Sequence, residues 1–316
     1  MENSVTQHKV TARAPASIGN VAAGFDCLGQ AFGAAFDLVT AQRCNGQTVA
    51  SLGAVDGLVS ILPKEVHRNT ALRAAQAVLD KAGADFGARL DVYKGIPMSA
   101  GMGGSAASAV AGALAVNGLL PTPLCQDDLF ICAMHGEAAS ADPPPPDNVA
   151  AVLYGGLVMI GEDGPRQITI IPLPKNLTCV LFHPALTVKT DEARTLLAAD
   201  VPLATTVRQM RHMGGFIAGC FLNDPGLIAQ NLRDGLIEPQ RASLVPPFGA
   251  VKDAALTAGA LGCSLSGSGP SIFAWVENHN LEVVKAAMAS AFGAQNCAAT
   301  AYVSPLSPCK AEIIIP

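Results

Sequence analysis

The 316-residue sequence has 25 acidic and 20 basic side chains, a net charge of −5, and is 14% charged and 50% hydrophobic. This composition excludes an intrinsically disordered chain, and an acidic balance without a Lys/Arg run argues against a nucleic-acid partner. A chain of this length is expected to form two domains, and we draw the boundary near residue 157, giving domains 1–157 and 158–316.

The N-terminal residues and the cysteines argue for a cytoplasmic protein. The opening residues, MENSVTQHKV, have neither the apolar core of a signal peptide nor the Arg/Ser-rich character of a transit peptide. The nine cysteines are scattered without a CxxC or CxxH pair, which is typical of reduced, buried thiols. The uncharged stretch 95–126 is long enough to span a bilayer, but its Gly, Ser and Pro residues predict a loop and a buried Ala-rich helix instead. We therefore expect no membrane partner.

Short strands and Ala-rich helices alternate along the chain. The first half predicts strands at 10–14, 36–41 and 90–93 and helices at 70–82, 105–119 and 127–139. The second half predicts strands at 158–160, 168–172, 178–182, 271–276 and 311–315 and helices at 191–197, 205–221, 225–232, 251–258 and 281–292. Asn69 is the expected N-cap of the first helix, and Gly83 is its expected stop. Because both halves mix helices with strands that need not be parallel neighbours, the predicted fold class is α+β.

The strongest local motif is PMSAGMGGSAAS, from Pro97 to Ser108. Glycines let successive backbone N–H groups point at one anion, and the helix that follows adds its positive N-terminal end, so the motif suits a phosphate. A glycine-rich turn without a ligand is the alternative. The spacing also satisfies the dinucleotide fingerprint GxGxxA, but no acidic residue ends a second strand at the required distance. No Lys follows the glycines as in GxxxxGK[ST], so Ser105 is the side chain placed to reach Mg²⁺.

Three further segments carry candidate polar groups. Glu137 could hold a magnesium ion, and Asp147 with Asn148 could orient an attacking hydroxyl. The alternatives are that Glu137 is a solvated helix residue and that Asp147 and Asn148 form an ordinary helix cap. The small-residue segment APASIGNVAAGFD leaves Asn20 and Asp26 as its strongly polar side chains, and Asp26 could hold a ligand ammonium. The segment SLSGSGPS, residues 264–271, is a second Gly/Ser turn that opens a strand.

Taken together, these four segments resemble the motifs of the GHMP kinase superfamily, in the same order and at similar spacing. The segments TDEARTLL and EPQRASLVPPF resemble the homoserine kinases within it. The resemblance implies a two-domain fold, with an N-terminal domain like ribosomal protein S5 domain 2 and a ferredoxin-like C-terminal domain. It also implies transfer of phosphate from ATP to L-homoserine in threonine biosynthesis, with ATP and Mg²⁺ bound between the domains, and a homodimer.

The resemblance assigns a role to each motif residue. The implied catalytic residues are Asp147, Asn148 and Glu137, and the implied metal ligands are Ser105 and Glu137. The implied ATP-binding residues are Asn69, Pro97, Met98, Ser99, Ala100, Gly101, Met102, Gly103, Gly104, Ser105, Ala106, Ala107 and Ser108. The implied substrate-binding residues are Asn20, Asp26, Asp147, Arg194, Arg241 and Gly267. In these roles the two arginines pair with the homoserine carboxylate and Asp26 binds the amino group. Asp147 is either a general base or a ligand of the amine, in which case Asn148 orients the hydroxyl.

The chain departs from the family pattern in two places. The middle motif commonly reads SGxxHxDN, whereas this chain has Pro145 where the histidine is expected. The phosphate motif has Ser99 for Gly, Ala100 for Ser and Gly104 for Ser. A lost hydrogen-bond donor can change substrate choice by orders of magnitude. The alternatives are therefore a GHMP-type kinase for another small hydroxy-amino acid or alcohol, a non-catalytic nucleotide-binding relative, and a dinucleotide-binding oxidoreductase.

Overall fold

Two β-sheets organise the molecule, and the computed structural model describes it over residues 8–315. The first sheet contains β1 (Lys9–Gly19), β2 (Leu28–Cys44), β3 (Ala50–Gly57), β4 (Gly87–Lys94), β5 (Leu157–Gly161), β6 (Gly164–Ile171) and β11 (Glu312–Ile315). The second sheet contains β7 (Leu177–Pro184), β8 (Gly262–Leu265), β9 (Ile272–Glu277) and β10 (Ala299–Pro305).

The first sheet is antiparallel except for the β3–β4 pair, and its order is β11-β1-β2-β4-β3, with β5 on β2 and β6 on β5. Its accompanying helices are α1 (Thr70–Ala82), α2 (Gly104–Asn117), α3 (Gln126–Glu137) and α4 (Pro146–Tyr154). Helix α2 packs against β1, β2, α1 and α3, and its alanines are buried because they let these neighbours approach closely. The uncharged stretch 95–126 therefore contains a core helix. Within residues 8–315, no helix combines the length and the apolarity needed to cross a membrane.

The second sheet is antiparallel in the order β10-β7-β9-β8. Its helices are α5 (Thr190–Thr195), α6 (Leu203–Leu222), α7 (Pro225–Asn231), α8 (Glu238–Arg241), α9 (Phe248–Thr257) and α10 (Leu281–Ala294). Helices α5–α9 connect the first strand of this sheet to its second, and α10 connects the third to the fourth. The connection βαββαβ with spatial order 4-1-3-2 is that of a ferredoxin-like fold. The predicted α+β class with two domains is thus confirmed.

Several predicted elements agree closely with the structure, and others were missed. Helix α1 has the predicted bounds, because the Asn69 side chain accepts a hydrogen bond from the backbone N–H of Leu72 and Gly83 ends the helix at φ +60°. Strands β3, β8 and β10 and helices α4 and α8 were not predicted. Pro146 stands in the first turn of α4, where proline is tolerated, so the proline run leads into a helix.

The chain passes between the sheets later than the predicted boundary. Strand β5, which begins at residue 157, and strand β6 belong to the first sheet, since Leu28 of β2 pairs with Met159 of β5 and β5 pairs with β6. Strand β11 also returns to that sheet, beside β1. The division at 157 stays a prediction, while the change from one sheet to the other falls at residues 172–176.

Candidate active site

A cleft of about 440 Å³ lies where the two sheets' loops meet. Every site residue predicted from the sequence lines it except Ala106 and Ala107, which are fully buried in α2. Lining residues that were not predicted to belong to the site are Phe25, Leu62, Pro63, Arg68, Thr70, Lys94, Ala139, Ser140, Pro145, Val188, Lys189, Thr190, Asp191 and Ser268. The cleft therefore brings all four sequence motifs together.

The glycine-rich loop ends at the N-terminus of α2. Gly101 and Gly103 have φ values of +71° and +63°, a region that residues with a Cβ rarely adopt. Gly103 is the N-cap residue of α2, and no side chain in the described part of the protein caps that end. The first N–H groups of α2, together with its positive dipole end, are thus available to an anion in the cleft.

The second Gly/Ser turn packs directly on the glycine-rich loop. The hydroxyl of Ser266 donates to the backbone carbonyl of Gly101 (2.5 Å), and the backbone N–H of Ser271 donates to that of Ala100 (3.2 Å). A Cβ on Gly101 would lie 2.6 Å from the carbonyl oxygen of Gly269. The second domain therefore holds the loop through contacts that leave no room for a side chain.

A buried ion pair lies beneath the loop and was missed by the sequence analysis. Lys94 pairs with Asp37, which is fully buried, and also donates to the hydroxyl of Ser108 (2.9 Å) and the backbone carbonyl of Gly104 (3.0 Å). The other Asp37 oxygen accepts the backbone N–H groups that follow Lys94. Lys94 also lines the cleft, but its three N–H donors already go to Asp37, Ser108 and Gly104, so it supports the loop and does not replace the lysine of GxxxxGK[ST].

Glu137 and Ser105 form the acidic corner of the cleft. The Ser105 hydroxyl donates to Oε1 of Glu137 (2.6 Å), while Oε2 is buried without a hydrogen-bond partner. Burial, with a smaller contribution from the charge of Asp147, raises the pKa of Glu137 to about 7, against the opposing effects of Ser105 and Lys94. A buried carboxylate oxygen without a donor is the arrangement that a cation satisfies. Among residues 8–315, no group of three or more His, Cys, Asp or Glu side chains could hold a metal.

Asp147 and Asn148 lie in the first turn of α4 and face Asn20. Asp147 is buried and accepts the backbone N–H groups of Asn20 (2.8 Å) and Asn148 (2.9 Å). Asn148 Oδ1 accepts the hydroxyl of Ser17 (2.8 Å). Burial and the nearby charge of Asp26 raise the pKa of Asp147 to about 6, although the two N–H groups favour its ionised form.

The segment that begins at Asn20 has strained backbone. Asn20, Val21 and Ala22 all have positive φ, between +41° and +68°, which is unfavourable for residues with a Cβ. The Asn20 side chain stabilises this turn, because its amide donates to the Gly267 carbonyl (3.0 Å) and its oxygen accepts the N–H of Asp26 (3.1 Å). Asn20 thus connects three of the four motifs.

The two predicted arginines differ in their partners. Arg194 donates both hydrogen bonds of one terminal nitrogen to Asp26 (3.0 and 2.9 Å), so the two side chains expected to bind opposite ends of a substrate bind each other. Arg241 is buried, and its guanidinium reaches only the backbone carbonyls of Ala193 (3.2 Å) and Gly267 (3.4 Å). Within residues 8–315 no carboxylate pairs with Arg241. Burial, followed by the charge of Arg194, lowers the pKa of its guanidinium.

Comparisons with known proteins agree with this geometry. Residues 69–156 match the model of the GHMP kinases N terminal domain, and residues 216–295 match that of the GHMP kinases C terminal domain. A homoserine kinase of Xylella fastidiosa is 38% identical over 99% of this chain and 96% of its own length, and one of Chlorobaculum tepidum is 37% identical over 96% and 98%.

Solved structures give the same result for the fold. A crystal structure of homoserine kinase from Cytophaga hutchinsonii has a TM-score of 0.93 at 36% identity and covers 99% of this chain and 100% of its own. An L. major mevalonate kinase in complex with R-mevalonate has a TM-score of 0.67 at 16% identity, covers 96% of each chain, and shares the fold alone.

Proposed function

The chain belongs to the GHMP kinase family, in its homoserine kinase branch, and on this premise we propose that it transfers the γ-phosphoryl group of ATP to the side-chain hydroxyl of L-homoserine. The products are O-phospho-L-homoserine, an intermediate of threonine biosynthesis, and ADP. One observation carries the proposal: the uncapped N-terminus of α2, which suits a phosphate, and the unpaired guanidinium of Arg241, which suits a carboxylate, line the same cleft.

The loop and helix α2 are the proposed binding site for ATP. Backbone N–H groups from Gly101 to Ser105 bind the phosphates, and Lys94, paired with Asp37, holds the loop from beneath through the Gly104 carbonyl. Asn69, at the start of α1, also lines the cleft with Leu62 and Pro63, where the nucleoside would lie. Ala106 and Ala107 contribute at most their backbone, since their side chains are in the core.

Glu137 and Ser105 fit a magnesium ion. A carboxylate and a hydroxyl beside phosphate oxygens are hard oxygen donors, which Mg²⁺ prefers, and the unpartnered Oε2 of Glu137 gains a partner on binding. When bound, Mg²⁺ neutralises charge on the phosphates of ATP. Because the pKa of Glu137 is about 7 without the metal, Glu137 gives up a proton when it becomes a ligand at neutral pH or below.

The opposite end of the cleft is the proposed homoserine site. Arg241 and Arg194 bind the carboxylate, and Asp26 or Asp147 binds the ammonium group. The transfer forms a bond from the γ-phosphorus to the homoserine oxygen and breaks the bond from that phosphorus to the oxygen of ADP, and the hydroxyl proton leaves to Asp147 or to water. Asn148 and Asn20 orient the hydroxyl. Since phosphoryl transfer has a loose transition state, positioning of this kind supplies most of the catalysis.

A second candidate is a kinase of the same type for another small hydroxy-amino acid or alcohol. Pro145 favours it, because this residue lines the cleft and has no side-chain donor where the family commonly has histidine. The missing donor at this wall would cost less binding affinity for a substrate with an extra apolar group there than for homoserine.

The test is a coupled ADP-release assay with ATP·Mg²⁺ and a panel of L-homoserine, L-threonine, L-serine and mevalonate. The proposal requires the highest kcat/KM with homoserine. Turnover of another alcohol with none of homoserine would overturn it in favour of the second candidate. ATP binding without turnover of any acceptor would indicate a non-catalytic relative.

We further propose that the protein acts in the cytoplasm as a homodimer. The nine cysteines, all within the described residues, are free thiols, as expected in a reducing compartment. Helix α6 exposes the apolar side chains of Leu203, Met210 and Phe221, which a second copy could cover. Light scattering on the purified protein measures its mass and tests the dimer.

A further inference from the structure

The aromatic ring of Phe25 lies close to both arginines of the proposed substrate site. The guanidinium carbon of Arg194 is 5.6 Å from the ring centroid, and that of Arg241 is 5.1 Å from it. Both distances are within the roughly 6 Å over which a cation is attracted to an aromatic face. Phe25 is half-buried and lines the cleft, so the ring and both cations are at the same end of the site.

These two cations need such a neighbour. They are close enough for the charge of Arg194 to disfavour that of Arg241, and Arg241 is 3% exposed with only carbonyl partners. Asp26 hydrogen-bonds Arg194, and its charge, with those of Asp234 and Asp147, favours the charged form of Arg241 without forming a hydrogen bond to it. The Phe25 ring lies within 6 Å of both guanidinium carbons, and it stabilises the two groups without occupying the donors that a carboxylate would use.

The position of the ring is fixed by its own turn. A Cβ on Gly24 would lie 2.2 Å from the Leu28 side chain, so the chain before Phe25 is packed without free space. Asp26, the next residue, has φ +53° and is held by Asn20 and by Arg194. Phe25 and Asp26 are therefore two contacts from one rigid turn of the first sheet's domain to arginines from the second.

We propose that Phe25 is a positioning residue, which sets the spacing of Arg194 and Arg241 so that both can bind one carboxylate. The inference rests on the proposed function, because it assigns the arginine pair to the carboxylate of an amino-acid substrate. Loss of the ring leaves the ATP end unchanged and lets the two guanidinium groups move apart. Acceptors that carry the carboxylate then bind less tightly, whereas the binding of acceptors without a carboxylate does not change.

The experiment compares Phe25→Leu with a near-isosteric variant that has pentafluorophenylalanine at position 25, whose ring face repels cations. The acceptors are L-homoserine and 3-aminopropan-1-ol, which is homoserine without its carboxylate. For both variants we expect KM for homoserine to rise by about tenfold, with KM for ATP unchanged and kcat within about threefold of the wild type. The kcat/KM for 3-aminopropan-1-ol stays unchanged, so the preference for the carboxylate falls by about the same factor.

The control is Phe36→Leu, which removes a similar contact at a residue that does not line the cleft, where Arg13 lies 5.8 Å from the ring centroid. This control variant should leave the kcat/KM of both acceptors unchanged. An unchanged KM for homoserine in the fluorinated variant overturns the inference, as does an equal loss for both acceptors. The fluorinated variant keeps the shape of the ring, so it decides the matter even where Phe25→Leu folds poorly. Failure of the wild type to use homoserine at all is a separate result, which contradicts the proposed function.

Discussion

The two ends of the cleft are built in different ways. The proposed phosphate end comes from one continuous segment, Pro97–Ser108, and offers mainly backbone N–H groups and a helix dipole. The proposed substrate end is assembled from side chains of distant segments, namely Asn20, Asp26, Asp147, Arg194 and Arg241. A group common to all nucleotides can be bound by a fixed backbone, whereas a particular small molecule needs charges placed from several directions. The phosphate end should therefore be sensitive to changes in backbone shape, and the substrate end should be sensitive to changes in side-chain charge.

The largest effect is expected where the two ends meet, at Glu137. In Glu137→Gln the neutral amide is a poor ligand for magnesium, so we expect kcat to fall by at least about 1,000-fold while the Kd of ATP changes by only a few-fold. Steady-state kinetics and calorimetric ATP titration measure the two quantities. Glu162→Gln, on the surface, is the control. A drop of less than tenfold in kcat would remove Glu137 from the metal site.

At the phosphate end, Gly103→Ala tests the sensitivity to shape. The new Cβ would lie 1.9 Å from the Ser17 hydroxyl at a backbone φ of +63°, so the loop must move. We expect KM for ATP to rise by about 100-fold, with a lower thermal midpoint. Gly214→Ala is the matched control, because its Cβ meets open space in the middle of α6 and should stabilise the protein by about 1 kcal/mol. An ATP KM unaffected by Gly103→Ala would contradict the difference between the ends.

At the substrate end, Arg241→Lys keeps the charge but loses the planar fork. We expect KM for homoserine to rise by about 30-fold with KM for ATP unchanged, because the fork is what binds a carboxylate with two hydrogen bonds. Arg211→Lys, on the exposed side of α6, should be neutral. If Arg241→Lys raises KM for ATP and KM for homoserine equally, the two ends of the cleft do not bind their ligands independently.

The pH dependence should report Asp147. Its pKa is raised to about 6, and the form that accepts a proton or binds an ammonium group is the ionised one, so activity is present above about pH 6 and lost below it. We expect kcat/KM for homoserine to fall about tenfold per pH unit below 6, measured at saturating Mg²⁺ so that Glu137 stays ionised. Asp147→Asn should have low activity without this acidic limb. An acidic limb that persists in Asp147→Asn belongs to another group.

The smallest effect concerns the strained turn of the substrate end. Ala22→Gly places at φ +59° a residue that accepts this conformation, and we expect the free energy of unfolding to rise by about 0.5–1 kcal/mol. Ala23 does not have a positive φ, so Ala23→Gly should lower the free energy of unfolding. Urea denaturation measures both. Destabilisation by Ala22→Gly would show that the methyl group packing outweighs the strain.

The same difference explains how far the sequence could predict the structure. Helix α1, the loop and α2 depend on neighbouring residues, and the motif analysis located them. Helix α4 was missed because its proline run resembles a break, and Lys94 because it lies before the glycines rather than after them. The contact of Ser266 with Gly101 joins residues 165 apart, and no local pattern contains such a distance. Likewise Phe25 stands inside a recognised motif, but an apolar side chain indicates a cation contact only once the arginines are in place.

The pairing of β11 with β1 has a consequence for the newly made chain. Strand β1 is synthesised before β11, so its outer edge stays open until residues 312–315 arrive to pair with it. The sheet that supports the nucleotide loop is therefore completed only after the arginine-bearing domain has been synthesised. A half-made protein therefore has an unprotected strand edge near the C-terminal end of α2, the helix whose N-terminal end is the proposed phosphate site.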